Sequence, residues 1–235
     1  MLTARRRAAL AKARANRESG ISLVELLVSM MIFAIILTLV ASMYSSMADT
    51  VAMGNSSNQS AKVASSAMNE VGRVIRFATT NAVLSQPAPS PAIVAGSKSE
   101  ALTVYSYVDA NSASPQPIKI SFTLDATRRL VEQRYAATNV AGFWLFSNPT
   151  PYSTRIITSG IGAPSGAELP LFTYQLVDGT AVTVPGAGLT ATQAATIAAI
   201  QVTLKVTTDG GASAQPVTLQ NTIGMPNLGL SRSGQ

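Results

Sequence analysis

The sequence predicts an α+β chain: a long N-terminal helix, membrane-spanning in its first half, packed on an antiparallel β-sheet domain. Three observations carry that expectation. Residues 26–48 contain no charge, Gly or Pro. Residues 42–80 contain no Pro and continue with spaced apolar residues, several at i+3/i+4 steps. Beyond residue 100, short runs alternate apolar and polar residues. The first two patterns have the period of a helix and the third that of half-buried strands.

Composition narrows the function before any motif does. The 235 residues are 47% apolar, enough for a packed core, and include neither Cys nor His. The absence of Cys excludes a disulfide framework, a thiolate zinc site and a lipoprotein anchor. The absence of His removes the commonest general base and the commonest transition-metal ligand. No cofactor is expected. The formal charge of +6 is uneven: Arg5, Arg6, Arg7, Lys12, Arg14 and Arg17 stand against Glu18 in the first twenty residues, and the remainder is nearly balanced. Bulk charge therefore makes no case for gripping a phosphate backbone, and no nucleic-acid partner is expected.

Residues 21–41 are long enough, at about 1.5 Å per residue, to cross one hydrocarbon core. Basic residues crowd before this segment, while the nearest one beyond it is Lys62. The positive-inside rule then places the N-terminal arm in the cytoplasm and the C-terminal part outside. A cleaved secretory signal, with Ala41-Ser-Met43 as its cleavage site, and a plain single-pass anchor both fit the length. Neither accounts for Glu25, a carboxylate inside the apolar block. Such a charge has a partner and a task, or lies near the interface and snorkels.

The run Gly20-Ile-Ser-Leu-Val-Glu25-Leu-Leu-Val resembles the N-terminal signal of type IV pilins and type II secretion pseudopilins. The resemblance implies cleavage after Gly20 by a membrane prepilin peptidase, on the cytoplasmic side. It also implies N-methylation of Ile21, retention of the apolar helix, a pilin-like fold and an assembly role for Glu25. Two features differ from the common pattern. The first mature residue is Ile21 rather than Phe, and Glu18-Ser19 precedes the Gly where a basic residue is frequent. The run Met68-Asn-Glu-Val-Gly-Arg-Val-Ile-Arg-Phe77 resembles the second helical half of the minor pilin W and pseudopilin J groups.

Chemistry gives Glu25 a reason beyond the resemblance. Cleavage creates an α-amine at Ile21, largely cationic at neutral pH. Glu25 stands four residues on, on the same face of a continuous helix. Unpaired, a carboxylate and an ammonium are each costly in an apolar filament core. Pairing the amine of one subunit with Glu25 of its neighbour removes both costs and fixes axial register.

Further along, one helix is expected through residue 80, loosened at Met53-Gly-Asn-Ser-Ser-Asn58, with Glu70, Arg73 and Arg76 on its outer face. Pro87, Pro89 and Pro91 mark a stiff connector over residues 85–96. Strands are expected at residues 102–107, 118–124, 129–136, 143–146, 155–158, 171–177, 200–206 and 217–219. Residues 189–199 read as a short helix or a spacer. The domain boundaries follow: leader 1–20, pilin helix 21–84 with 21–41 in the membrane, and an extracytoplasmic β-rich domain 85–235.

Other candidate motifs have simpler readings. Asp178-Gly-Thr and Asp209-Gly-Gly are turns rather than calcium ligands. Asn148-Pro-Thr150 is a loop signal. Trp144, among Phe143, Leu145 and Phe146, belongs to a buried strand. Arg128, Arg129, Arg134 and Tyr135 could form a basic-aromatic patch, but so few cations hold phosphate only modestly. The expected function is a non-catalytic structural subunit: a minor pilin of a type IV pilus. The alternatives are a pseudopilin of a type II secretion system, or a single-pass surface-binding protein. By resemblance, the partners are prepilin peptidase, other pilins or pseudopilins, a membrane platform protein, an assembly ATPase system, and membrane lipid before assembly.

Overall fold

The computed structural model describes residues 21–84, 88–108, 115–208 and 216–228. The chain divides into two compact units, Met1–Val51 and Ala52–Gln235. Helix α1 (Leu23–Arg76) contributes to both. In the first unit every described residue is exposed, and its large apolar side chains range from Ile36 at 51% to Tyr44 at 75%. The helix is apolar all round, so no single face can be satisfied by one contact. Some of its hydroxyls bond back to their own helix: Thr38 Oγ1 donates to Ala34 O and Ser42 Oγ to Leu39 O, both at 2.8 Å. Such pairs leave little polar surface for lipid or a neighbouring helix to solvate.

In the second unit α1 becomes amphipathic. It stays unbroken through Gly54 and Asn55, and then buries Ser60, Ala64, Ala67, Met68, Val71, Gly72, Val74 and Ile75. Small residues let strands approach closely: a Cβ on Gly72 would lie 3.4 Å from Ile223 Cδ1. The helix stops at Arg76 rather than continuing to residue 80. Residues 78–79 instead turn their backbone to a strand, with Thr79 N donating to Tyr105 O at 2.9 Å.

The expected antiparallel β domain follows, divided into three sheets. The first has the order β1 (Ala101–Ser106), β2 (Ile118–Leu124), β3 (Leu130–Ala136), β6 (Ser153–Thr158). The second is a hairpin of β4 (Thr138–Val140) and β5 (Phe143–Leu145). The third has the order β7 (Phe172–Gln175), β8 (Ala199–Val206), β9 (Val217–Gly224). Between β7 and β8 lies the short helix α2 (Ala191–Thr196), capped by Thr190 and Gln193 in a reciprocal box.

Alternation decides which side chains enter the core. Leu102, Val104, Ile120 and Phe122 from the first sheet, and Phe172, Tyr174, Ile200, Val202 and Leu204 from the third, are fully buried. They form a single cluster with the α1 stripe. The stretch expected as a stiff connector also contributes to the core: Ala92 and Ile93 are buried, and Tyr105 N donates to Ala92 O at 2.9 Å. The run Phe143–Phe146 is only half-buried, because β4 and β5 form a separate two-stranded hairpin rather than a core strand. Its two-residue turn, Ala141-Gly142, has φ of 52° and 84°, the left-handed pair that a tight hairpin of matching twist requires.

Candidate functional site

At the start of α1, Ile21 and Ser22 precede the helix, and Leu26 N donates to Ser22 O at 3.0 Å. Glu25 sits in the first helical turn with its side chain exposed. Ile21 therefore lies just outside the helix rather than on a continuous face with Glu25. The first turn is where a carboxylate is favoured by the helix dipole. The spacing Ser22-Leu-Val-Glu25 also matches a capping box, a local reason for Glu25 that the sequence reading passed over. Gly20 lies outside the described residues. Beyond Glu25, Leu26, Leu27, Val28, Met30 and Met31 continue an exposed apolar surface that nothing among the described residues covers.

Residues 15–41 match the family model of the prokaryotic N-terminal methylation motif. The chain carries the type IV pilin and pseudopilin signal. No curated protein matches the chain. The pilin-type signal implies processing by prepilin peptidase and assembly with other pilins, in a family that is structural rather than enzymatic in general. The matched residues include the start of the exposed apolar helix, and the antiparallel sheets that follow it in the chain complete a pilin-like α+β architecture.

A second constellation lies in the globular unit, and the sequence reading placed its central residue wrongly. Glu70 was expected on the outer face of α1; instead it is turned toward the first sheet. Its carboxylate accepts from Arg73 Nη2 at 2.8 Å, from Arg134 Nη2 at 3.3 Å and from Arg155 Nη2. Glu132 on β3 is fully buried and accepts from Arg155 Nη2 at 2.6 Å and from Arg134 Nε. The pairing Glu132↔Arg155 between β3 and β6 sets the two side chains opposite each other. Burial alone would push the Glu70 carboxyl up, but the Arg73 hydrogen bond and the Arg155 and Arg73 charges outweigh it and hold it below its ordinary value. Burial likewise opposes the charge on Arg155, yet the Glu132 hydrogen bond and the two carboxylate charges raise its pKa. Two acids and three arginines thus clamp the second half of α1 to β3 and β6. Only the β2–β3 alternation hinted at this: Glu132 occupies an inward position opposite Phe122.

The remaining sequence candidates resolve into structural roles. Arg128, with φ of 56°, donates to Ile161 O at 2.7 Å and to Glu100 at 2.9 Å. Arg129 donates to Asp125 at 2.6 Å. With Arg134 held by the two acids, the three arginines face internal acceptors and form no free basic patch. Tyr135 donates to Gln133 Oε1 at 3.1 Å and lies under Lys119, whose Nζ is 4.5 Å from the ring centroid. Trp144 contributes its carbonyl to Asn81 Nδ2 at 3.0 Å. Asp178 and Asn148 each accept from the backbone N–H two residues on, at 2.9 Å, the geometry of a turn. Asp209 lies outside the described residues. Among the described residues no group of three acidic side chains is placed to hold a metal.

Proposed function

We propose that the chain is a minor pilin: a subunit that waits in the cytoplasmic membrane, loses its leader, and packs its N-terminal helix into a type IV pilus. The observation that carries this reading is the junction itself. A methylation motif at residues 15–41 runs into a helix whose apolar surface is uncovered on all sides, while the second half of the same helix is built into a folded core. The uncovered half suits first lipid and then the helices of neighbouring subunits, which pack through small and apolar side chains.

In this reading residues 1–20 are a cytoplasmic leader, residues 21–41 span the membrane, and residues 85–235 belong to the external domain. Prepilin peptidase cuts between Gly20 and Ile21 and methylates Ile21. The new amine pairs with Glu25 of a neighbouring subunit as the helix enters the filament. A platform protein and an assembly ATPase drive that entry from the membrane and the cytoplasm.

Mass spectrometry of the mature N-terminus is the direct test. An N-methylated Ile21 supports the reading, whereas a chain starting at Met1 or beyond Ala41 ends it. Deletion of the gene separates the two filament systems. Loss of surface pili is expected, and loss of secretion with pili intact would reassign the chain as a pseudopilin.

A further inference from the structure

In the two larger sheets of the globular unit, three of the four edges are guarded. The outer edge of β1 is strapped by the chain before it, with Val94 N donating to Thr103 O at 2.8 Å and Tyr105 N to Ala92 O at 2.9 Å. The edge of β7 is occupied by Val182 N, donating to Tyr174 O at 2.8 Å, and by Ser99 O, accepting from Phe172 N at 2.9 Å. β6 is short, pairs through a register shift beside Val131, and carries Arg155 in mid-strand. Straps, bulges and charges are the usual means of preventing edge-to-edge pairing.

β9 has none of them. Its eight residues, Val217–Gly224, include no charge and no Pro, and they pair with β8 in unbroken register. The phase of that ladder is fixed by Met225 N, which donates to Ala198 O at 3.1 Å. Odd-numbered residues of β9 therefore bond to β8, while Thr218, Gln220, Thr222 and Gly224 turn N–H and C=O outward. Among the described residues no hydrogen bond reaches those outward groups.

We propose that this edge docks a second copy of the same strand, the two β9 strands pairing antiparallel across a two-fold axis. Alternating donors and acceptors at strand spacing match the backbone of another extended strand. An uncharged strand meets its own copy without like-charge conflict. The outward phase allows the axis to pass at Gln220, pairing residues 217–223, or at Asn221, pairing residues 218–224. Either register covers Leu219, which is only partly buried where it packs against the core. This interface uses no residue of the N-terminal signal and stands apart from the proposed assembly role.

The chain has no cysteine, so a single one reports cleanly. Full-length Gln220→Cys and Asn221→Cys proteins, oxidised in excess detergent, are expected to give a disulfide-linked dimer in at least one case. Thr154→Cys on the β6 edge serves as the control for micelle crowding. Adding Gln220→Pro to Asn221→Cys removes an outward N–H while leaving the β8 ladder intact. Two-fold symmetry repeats the loss, so dimer formation should fall roughly tenfold without a change in melting temperature. Hydrogen exchange at Thr218, Gln220 and Thr222 should speed up on dilution. Dimer yields no higher than the β6 control would overturn the proposal. So would edge amides protected equally at every dilution, which would mean the chain covers its own edge.

Discussion

Glu70 on α1 and Glu132 on β3 share two arginines: Arg155 Nη2 donates to both carboxylates, and Arg134 donates to Glu132 through Nε and to Glu70 through Nη2. The two acids differ in what surrounds them. Glu132 is fully buried, whereas the Glu70 side chain retains 19% of its exposure and has Arg73 as a further partner. Removing one member of a buried charged pair leaves the other uncompensated, at a cost of roughly 3–5 kcal/mol. Glu132→Gln should therefore destabilise the globular unit by several kcal/mol, and Glu70→Gln by distinctly less. Thermal unfolding of the full-length variants in one detergent checks the order; equal losses would contradict it.

The same cluster makes stability depend on acid. The folded-state pKa of Glu70 lies below its ordinary 4.5. Its contribution is thus fully present above the unfolded value and is lost as pH falls through the folded one. Melting temperature should decline as pH drops below about 4.5, and the decline should be shallower in Glu70→Gln. The slope will not vanish, because Asp125, Glu168 and Asp178 are also depressed by local hydrogen bonds. Melting scans from neutral to acid pH measure both slopes.

Gly188 is a backbone requirement rather than a flexible point. Its φ is 100°, and a Cβ there would meet Gly96 O at 2.4 Å. Gly96 N donates to Leu189 O at 2.8 Å, so the two segments cannot separate without losing a hydrogen bond. Gly188→Ala should cost at least the roughly 1–3 kcal/mol of a strained backbone. Gly186→Ala, which meets nothing within 4 Å, is the matched control. Denaturant midpoints of the two proteins should separate clearly.

At the N-terminus, two substitutions distinguish charge pairing from helix capping. A Gln at position 25 keeps the capping-box pattern, because Glu and Gln serve equally at that position, but removes the charge. If pairing with the Ile21 amine drives assembly, Glu25→Gln and Glu25→Ala should both leave membrane insertion intact and strongly reduce recovery in filaments. Rescue by Gln alone would assign Glu25 to capping. Quantifying tagged subunit in sheared filaments against the membrane fraction gives the answer.

Much of this architecture is legible in the sequence because the strongest signals are local. The alternation at Ile118, Ile120, Phe122 and Leu124 appears as β2, and that at Ile200–Val206 as β8. The unbroken apolar run appears as the first half of α1. What escaped prediction depends on distant partners. Nothing near Glu70 in sequence announces Arg155, and a polar residue on an amphipathic helix ordinarily faces water. The Phe143–Phe146 run has the composition of a core strand, but the Ala141-Gly142 turn just before it diverts it into a small hairpin. The division into separate sheets likewise rests on pairing choices that periodicity does not encode.

The second half of α1 is held along its length, by a stripe from Ser60 to Ile75 and by the arginine clamp beside Glu70. A pull along the helix axis loads these contacts in shear, all together, instead of peeling them away in turn. A domain anchored this way should resist tension better than its equilibrium stability alone suggests, a property that would serve the proposed filament role under load.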